Sequence, residues 1–183
     1  MPNAPDFRLD CGPCVIRPWR GDDLPALLRY ADNPKVAANL RDRFPHPYTE
    51  ADARAWLAFV AADAEGVHLV IEVAGGFAGT IGLEPQKDVN AGTAEIGYWL
   101  GEPFWGRGIA TAAVRALTRH ALTTLGYRRL FATALMTNAA SRRVLEKAGY
   151  RLEGVLRRSA VKNGRVLDQA LYAIVDEDLA GTA

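Results

Sequence analysis

The sequence predicts one α/β domain with a mainly antiparallel sheet that contains a single parallel pair of strands. Its length of 183 residues suits one domain, and its 49% hydrophobic residues are enough to build a sizeable core. The apolar patterns follow the order helices, hairpin, strand–helix–strand–helix and two further strands. Strands joined through a long helix lie parallel, whereas strands joined by tight turns lie antiparallel. We take residues 1–183 as one domain, with residues 1–13 as a flexible N-terminal extension.

The first part of the chain predicts a short strand followed by two helices. Residues 14–19 are an apolar stretch and form the first predicted strand. Asp22 begins a helix with leucines at helical spacing, and the dipeptide Asn33-Pro34 ends it. Thr49 begins a second helix, because Asp52 stands three residues later in the arrangement of a capping box.

The middle of the chain predicts a hairpin and then a further strand. Residues 68–73 and 77–83 are apolar runs, and the turn Gly75-Gly76 between them is typical of a hairpin. Residues 85–92 are polar and are expected to form a loop. Residues 94–100 return to an apolar pattern and predict the strand that leads into the longest helix.

The second half predicts strand and helix in alternation. A helix runs from Gly108 to about Leu125 with apolar residues at helical spacing. Residues 130–135 read as a buried strand. Asn138 begins a short helix that Gly149 closes. Two strands joined by the turn Asn163-Gly164 finish the fold, at residues 150–159 and 166–175.

Charge and composition exclude several classes of protein. Lys and Arg number 22 against 21 Asp and Glu, so a formal net charge of +1 favours neither a nucleic-acid nor a membrane partner. No apolar run is long enough to cross a bilayer, and the N-terminal segment lacks the apolar core of a signal peptide. We therefore expect a cytoplasmic protein.

Cys11 and Cys14 have the C-x-x-C spacing of redox and zinc motifs. A redox pair normally begins a helix, whereas a predicted strand follows here. A zinc site needs two further ligands, and the three histidines are far apart in the sequence. We interpret the two cysteines as ordinary thiols and expect no metal.

A glycine turn at the start of the longest helix predicts an anion site. The segment Trp105-Gly106-Arg107-Gly108 joins the strand of residues 94–100 to that helix. First-turn N–H groups have no partner within a helix, and the helix dipole favours negative charge beside them. The two glycines allow a diphosphate to approach the backbone, and Arg107 adds a positive charge. The segment matches neither a P-loop nor a dinucleotide-binding fingerprint.

The glycine turn and the segment around Asn138 together resemble the GNAT superfamily of acyl-CoA N-acyltransferases, and within it the ribosomal-protein N-terminal (alanine) acetyltransferases. The family's pyrophosphate turn Q/R-x-x-G-x-A/G is similar to residues 105–110, with Trp105 in place of Gln or Arg. The family's N-x-x-S followed by a helix and G-[FY] matches Asn138, Ser141 and Gly149-Tyr150. The resemblance extends over about residues 15–178.

The resemblance implies a GNAT fold of about seven strands and about four helices, with the sheet splayed at the acetyl-CoA site. Pantetheine is then expected to pair with the main chain of residues 98–100, while Asn138 reaches the pantetheine and Ser141 lies near the sulfur. The residues implied in cofactor binding are Tyr98, Trp99, Leu100, Trp105, Gly106, Arg107, Gly108, Ile109, Ala110, Asn138 and Ser141.

Transfer to an amine requires a base for the amine proton and a donor for the departing thiolate. Glu95 is the first candidate for the base, ahead of Glu84 and Glu102, and the alternative for Glu95 is a salt-bridge partner on its strand. Many relatives have a tyrosine seven residues after the motif asparagine, but this chain has Leu145 there. Ser141 is therefore the candidate donor, and Tyr172 is a distant second.

The acceptor is the least determined part of the reaction. Phe44, His46 and Tyr48 lie in a proline-rich segment that overhangs the acceptor site in this family, so they contact substrate or simply order the loop. The first expectation is a protein N-terminus of the ribosomal-protein type. The alternatives are a polyamine, an amino acid or an antibiotic, and a rival function is a non-catalytic acyl-CoA sensor. The protein is expected to act as a monomer or homodimer.

Overall fold

One twisted sheet of eight strands organises the chain, and it is described for residues 6–180 in a computed structural model. The strands are β1 (Leu9–Asp10), β2 (Val15–Arg17), β3 (Val67–Val73), β4 (Gly76–Pro85), β5 (Thr93–Leu100), β6 (Arg129–Leu135), β7 (Arg151–Lys162) and β8 (Arg165–Val175). The α-helices of the same residues are α1 (Leu24–Ala31), α2 (Pro34–Ala37), α3 (Glu50–Ala62), α4 (Ile109–Thr123), α5 (Ala139–Lys147) and α6 (Asp176–Ala180). No helix within residues 6–180 has the length and apolar character that a membrane span requires.

The sheet order β1-β2-β3-β4-β5-β6-β8-β7 confirms the predicted fold class. Neighbouring strands are antiparallel, apart from β5 and β6, which are parallel and are joined through α4. The capping box of Thr49 and Asp52 is also present at the start of α3. These features follow from local signals, because turn length and connecting helices determine strand direction.

Three details differ from the predictions. The described residues contain eight strands and six α-helices, more than the expected seven and four. Leu9 and Asp10, inside the predicted flexible extension, form β1 by pairing with β2. Asn33-Pro34 was predicted only to end a helix, but it also begins α2. The Asn33 side chain caps α2 by accepting a hydrogen bond from the N–H of Lys35, and Pro34 is the first helical residue. Proline suits that position because its missing N–H is not needed there.

Two apolar clusters lie on opposite faces of the sheet. The larger packs α4 and α5 against the face that carries Ala94, Ile96 and Leu130. The smaller packs α1 and α3 against the other face, around Val70 and Phe77. The alternation of side chains along β5 therefore decides which residues point to which helices.

Arg17 forms a buried ionic cluster at one side of the smaller apolar cluster. Its side chain is 3% exposed, and its guanidinium donates to Asp23 at 2.7 Å and to Glu72 at 2.5 Å. Burial opposes ionisation of Glu72, but hydrogen bonds from Arg17 and Arg8 outweigh it and lower the pKa of this carboxyl. The cluster joins β2, β3 and the start of α1, and nothing in the local sequence pattern predicted it.

Candidate active site

The parallel strands β5 and β6 separate part-way along their length. They pair at Thr93/Arg129, Ala94/Leu130 and Glu95/Phe131, and no further. Beyond that point β5 continues to Leu100 beside β4, and β6 continues to Leu135 beside β8. A gap therefore opens in the middle of the sheet between residues 96–100 of β5 and residues 132–135 of β6. Unpaired backbone edges inside a sheet can bind an extended ligand.

The main chain of Tyr98 and Leu100 faces this gap. The N–H of Gly101 donates to the carbonyl of Ala78 on β4 at 2.8 Å. Hydrogen-bonding groups alternate in direction along a strand, so those of Tyr98 and Leu100 point the other way. In agreement, the carbonyl of Leu100 accepts a hydrogen bond from the indole N–H of Trp105 at 2.7 Å. Tyr98 is the residue whose main chain is left open to the gap.

Trp99, which was predicted to contact the cofactor, points away from the gap. It stands opposite Thr80 on β4, and its main chain points to that strand. Its indole lies on the face of the smaller apolar cluster, with ring centroids 5.4 Å from Phe44 and 5.9 Å from Phe77. Alternation along β5 turns both its backbone and its side chain away from the gap.

The glycine turn forms an open helix start. Gly106 and Gly108 have φ angles of 72° and 76°, a left-handed conformation that glycine adopts without strain. Gly108 is the N-cap of α4 and has no side chain to cap it, and the first intrahelical bond runs from the N–H of Ala112. The N–H groups of residues 109–111 are therefore available to an anion. Arg107 is exposed beside them, and the Ile109 side chain is buried in the core.

The start of α5 meets β5 across the large cluster. The Asn138 side-chain oxygen accepts the N–H of Ser141 at 3.0 Å, which leaves its amide nitrogen for other contacts. The Ser141 hydroxyl lies 2.9 Å from the phenol oxygen of Tyr98, which also donates to the Ser141 carbonyl at 3.2 Å. Burial raises the pKa of Tyr98 to about 12, so the phenol stays protonated at neutral pH. With the phenol as the donor between them, the Ser141 hydroxyl can donate a hydrogen bond to a ligand in the gap.

The contact of the Tyr98 phenol with Ser141 was not predicted from the sequence, which assigned Tyr98 only a main-chain role. A signal was present, because Tyr98 shares its parity along β5 with Ala94, Ile96 and Leu100, all of them buried under α4. The side chain had to point to the helical side of the sheet. That it meets Ser141, 43 residues away, is a fact of the tertiary structure.

Glu95 lies where the pairing of β5 and β6 ends, on the face opposite Tyr98. Its carboxylate accepts hydrogen bonds from Arg41 at 2.5 Å and from the hydroxyl of Thr133 at 3.1 Å. Its side chain is only 17% exposed, whereas that of Arg41 is 52% exposed. Both roles considered for Glu95 thus have support, since it is ion-paired and also stands at the closed end of the gap.

The other two acidic candidates lie at the surface. Glu84 is 53% exposed and lies 3.4 Å from Arg43 and 3.6 Å from Arg41. Glu102 binds Lys35 and the side-chain amide of Asn33, and these contacts lower its pKa. Neither approaches the gap as Glu95 does.

The proline-rich segment before α3 packs on the same face as Glu95. Tyr48 is 8% exposed and lies 4.9 Å from Phe44 between ring centroids. His46 is exposed and lies 3.3 Å from Asp32, which also accepts the main-chain N–H of Tyr48. Tyr48 therefore supports the loop from beneath, and Phe44 and His46 are the predicted substrate contacts that remain accessible. Tyr172 is buried and donates to Glu146, away from Ser141.

A family model described as an acetyltransferase (GNAT) domain matches residues 14–151, which include the gap, the glycine turn and the start of α5. The chain belongs to the GNAT acetyltransferase family. It is an acetyl-CoA-dependent N-acetyltransferase, as the resemblance implied.

Several relatives of this acetyltransferase are named as ribosomal or ribosomal-protein acetyltransferases. YdaF of Bacillus subtilis (strain 168), provisionally named a ribosomal N-acetyltransferase, is 35% identical over 154 residues, covering 84% of this chain and 79% of that protein. The ribosomal-protein-serine acetyltransferase of Escherichia coli (strain K12) is 39% identical over 85 residues, or 46% of this chain and 48% of that one. The structure of Mycobacterium smegmatis RimJ in complex with CoA-disulfide superposes with a TM-score of 0.82 at 28% identity, covering 100% and 97% of the two chains.

The two cysteines of the acetyltransferase flank a tight turn before β2. The N–H of Cys11 donates to the carbonyl of Cys14, and the buried Cys14 thiol lies 3.9 Å from the carbonyl of Ile109. Within residues 6–180, no three His, Cys, Asp or Glu side chains come together as metal ligands. The pair is thus part of the packing between β2 and α4.

We expect the double substitution Cys11→Ser/Cys14→Ser to keep acetyltransferase activity. The 3.9 Å contact of the Cys14 thiol with the Ile109 carbonyl is too long for a serine hydroxyl to replace, so the buried hydroxyl should lower stability by about 1–3 kcal/mol without affecting the candidate site. Activity, metal content and thermal unfolding of the wild type and the variant are the measurements. Stoichiometric zinc in the wild type that is lost in the variant contradicts the prediction.

Proposed function

We propose that this acetyltransferase modifies a protein N-terminus, with a ribosomal protein as the first acceptor to test. The names of its relatives support the acceptor class. The observation that carries the catalytic part is the gap between β5 and β6, which has Glu95 at its closed end on one face and the Tyr98–Ser141 pair on the other.

Acetyl-CoA is proposed to bind along this gap. Its pyrophosphate accepts hydrogen bonds from the N–H groups of residues 109–111, with Arg107 and the Trp105–Gly108 turn around it. The pantetheine pairs with the open main chain of Tyr98, and the amide nitrogen of Asn138 is free to donate to it. This arrangement brings the thioester to the hydroxyl of Ser141.

The proposed reaction is direct attack in a complex of enzyme and both substrates. The neutral amine nitrogen forms a bond to the acetyl carbonyl carbon, and the carbon–sulfur bond breaks. Glu95 accepts the proton from the amine and releases it to water. Ser141 gives a proton to the departing thiolate and regains one through the Tyr98 phenol, which in turn takes a proton from water. The amine takes over the hydrogen-bonding place that Arg41 holds on Glu95. Proximity and orientation supply much of the acceleration.

Release of CoA thiol in the presence of different amines tests the proposal. The panel contains a peptide with a free N-terminus, the same peptide with a blocked N-terminus, a polyamine, an amino acid and an aminoglycoside. We expect turnover with the free peptide and none with the blocked one. Preference for a small amine makes the protein a small-molecule acetyltransferase. Binding of acetyl-CoA with no turnover on any amine makes it a sensor.

Ser141→Ala is expected to lower turnover by about 10²-fold across the pH range, the lower end for a general acid, because water can enter the space of the hydroxyl. Tyr98→Phe removes one neutral hydrogen bond of about 1 kcal/mol and should cost about fivefold. Rates with a proven acceptor check both values. Ser159→Ala, an exposed serine of β7, is the control. Equal rates for Ser141→Ala and the control remove Ser141 from the mechanism.

A further inference from the structure

The two cysteines close the hairpin that β1 and β2 form. Asp10 pairs with Val15, so Cys11 and Cys14 are the next two residues opposite each other, and the N–H of Cys11 donates to the carbonyl of Cys14 at 2.9 Å. Residues directly opposite in an antiparallel pair have Cα atoms about 4.5–5.5 Å apart. A disulfide joins Cα atoms about 4.4–6.8 Å apart, so the hairpin can hold one without movement of its backbone.

Both thiols lie on the same face of this hairpin. Cys14 is buried in the larger apolar cluster, and the partly exposed Cys11 packs against that cluster. A hydrogen bond with the Cys11 thiol lowers the pKa of Cys14, although burial opposes ionisation. In the usual C-x-x-C motif a helix start lowers the thiol pKa, whereas here the neighbouring thiol does so. The hairpin thus has an accessible thiol and a buried thiol within reach of each other.

The buried thiol also touches the helix that begins at the glycine turn. The Cys14 sulfur lies 3.9 Å from the carbonyl of Ile109, which is the first residue of α4 and is itself buried. The N–H groups of residues 109–111 belong to the same turn and form the proposed pyrophosphate site. A change at Cys14 therefore acts on that turn from its buried side.

We propose that Cys11 and Cys14 form a reversible disulfide that weakens the binding of CoA; the effect on CoA rests on the pyrophosphate site of the proposed function. The oxidant is a low-molecular-weight disulfide. The Cys11 sulfur attacks it and forms a mixed disulfide, and one small thiol leaves with the Cys11 proton. The Cys14 sulfur then attacks the Cys11 sulfur, and the second small thiol leaves with the Cys14 proton. The two cysteines are oxidised, and the small disulfide is reduced to two thiols.

The new bond changes what Cys14 offers to α4. Its sulfur is drawn toward Cys11 and no longer carries the hydrogen that it donates to the Ile109 carbonyl. The first turn of α4 loses one weak hydrogen bond on its buried side. Loss of such a contact should raise the Kd of CoA by about two- to fivefold. Turnover at saturating acetyl-CoA should stay the same, because Glu95 and Ser141 lie on other elements.

Treatment of the folded protein with oxidised glutathione tests the proposal. The chain has 2 cysteines, so an intramolecular loss of two hydrogen atoms comes only from this bond and is measured by mass spectrometry. We expect this loss, its reversal by dithiothreitol, and CoA binding that is about two- to fivefold weaker in the oxidised protein by calorimetry.

Cys11→Ser is the matched control, because it removes the accessible thiol and leaves Cys14 in its contact with α4. Its Kd for CoA should equal that of the reduced wild type, with and without oxidised glutathione. Weakening of CoA binding by oxidised glutathione in this variant as well overturns the assignment of the effect to the disulfide.

Three further outcomes separate the parts of the inference. A disulfide that forms in urea but not in the folded protein overturns it, because the fold then keeps the two sulfurs apart. A disulfide in the folded protein with an unchanged Kd for CoA overturns the link to the cofactor. Failure of the reduced protein to bind CoA contradicts the pyrophosphate site, and with it the proposed function, whether or not the disulfide forms.

Discussion

Glu95→Gln is expected to lower turnover by about 10²–10⁴-fold, the typical contribution of a general base. Glutamine keeps the shape of the side chain and can still accept from Thr133, but it cannot take a proton. The loss should be largest at low pH, where the free amine is scarce, and should shrink at high pH. Acetyl-CoA binding should hardly change, because the carboxylate is not placed to contact the cofactor.

The pH–rate profile with a proven acceptor is the deciding measurement for Glu95. Glu84→Gln is a matched control, since Glu84 also lies near Arg41 but is half exposed on the neighbouring strand. Its profile should follow that of the wild type. If Glu95→Gln turns over at the wild-type rate at every pH, Glu95 serves only as the ion-pair partner of Arg41. Another base or water then takes the proton.

Gly108→Val is expected to abolish the stabilisation of the protein by CoA. Wild-type protein with CoA at a hundred times its dissociation constant should gain about 2.7 kcal/mol. A β-branched side chain is strained at the φ angle of 76° found at Gly108, so the turn must change shape. The N–H groups of residues 109–111 then lose their common direction toward the pyrophosphate.

Gly126→Val separates backbone strain from loss of the site. Gly126 has a φ angle of 79°, faces open space and follows the opposite end of α4. Without ligand, the Gly126→Val variant should lose about as much stability as Gly108→Val. It should nevertheless keep the full thermal shift with CoA. Normal CoA binding by Gly108→Val contradicts the assignment of this turn to the pyrophosphate.

Local features of the site were accessible from the sequence for a physical reason. Gly106 and Gly108 both adopt left-handed backbone, and Asn138 caps α5 through its side chain. Thr49 and Asp52 form the capping box at α3. Such features depend on torsions and hydrogen bonds within one helical turn, so a short stretch of sequence is enough to specify them.

The contacts between distant segments were decided by the tertiary structure. Arg41 meets Glu95 across 54 residues, and Tyr98 meets Ser141 across 43. Trp99 and its neighbour Tyr98 show the cause, because a shift of one residue along a strand reverses both the face of the side chain and the direction of the main chain. The sequence by itself determined the family, the fold class, the glycine turn and the helix caps. Strand register and the packing of the two faces decided which side chains surround the gap, because those contacts are set by the whole sheet and not by any short segment.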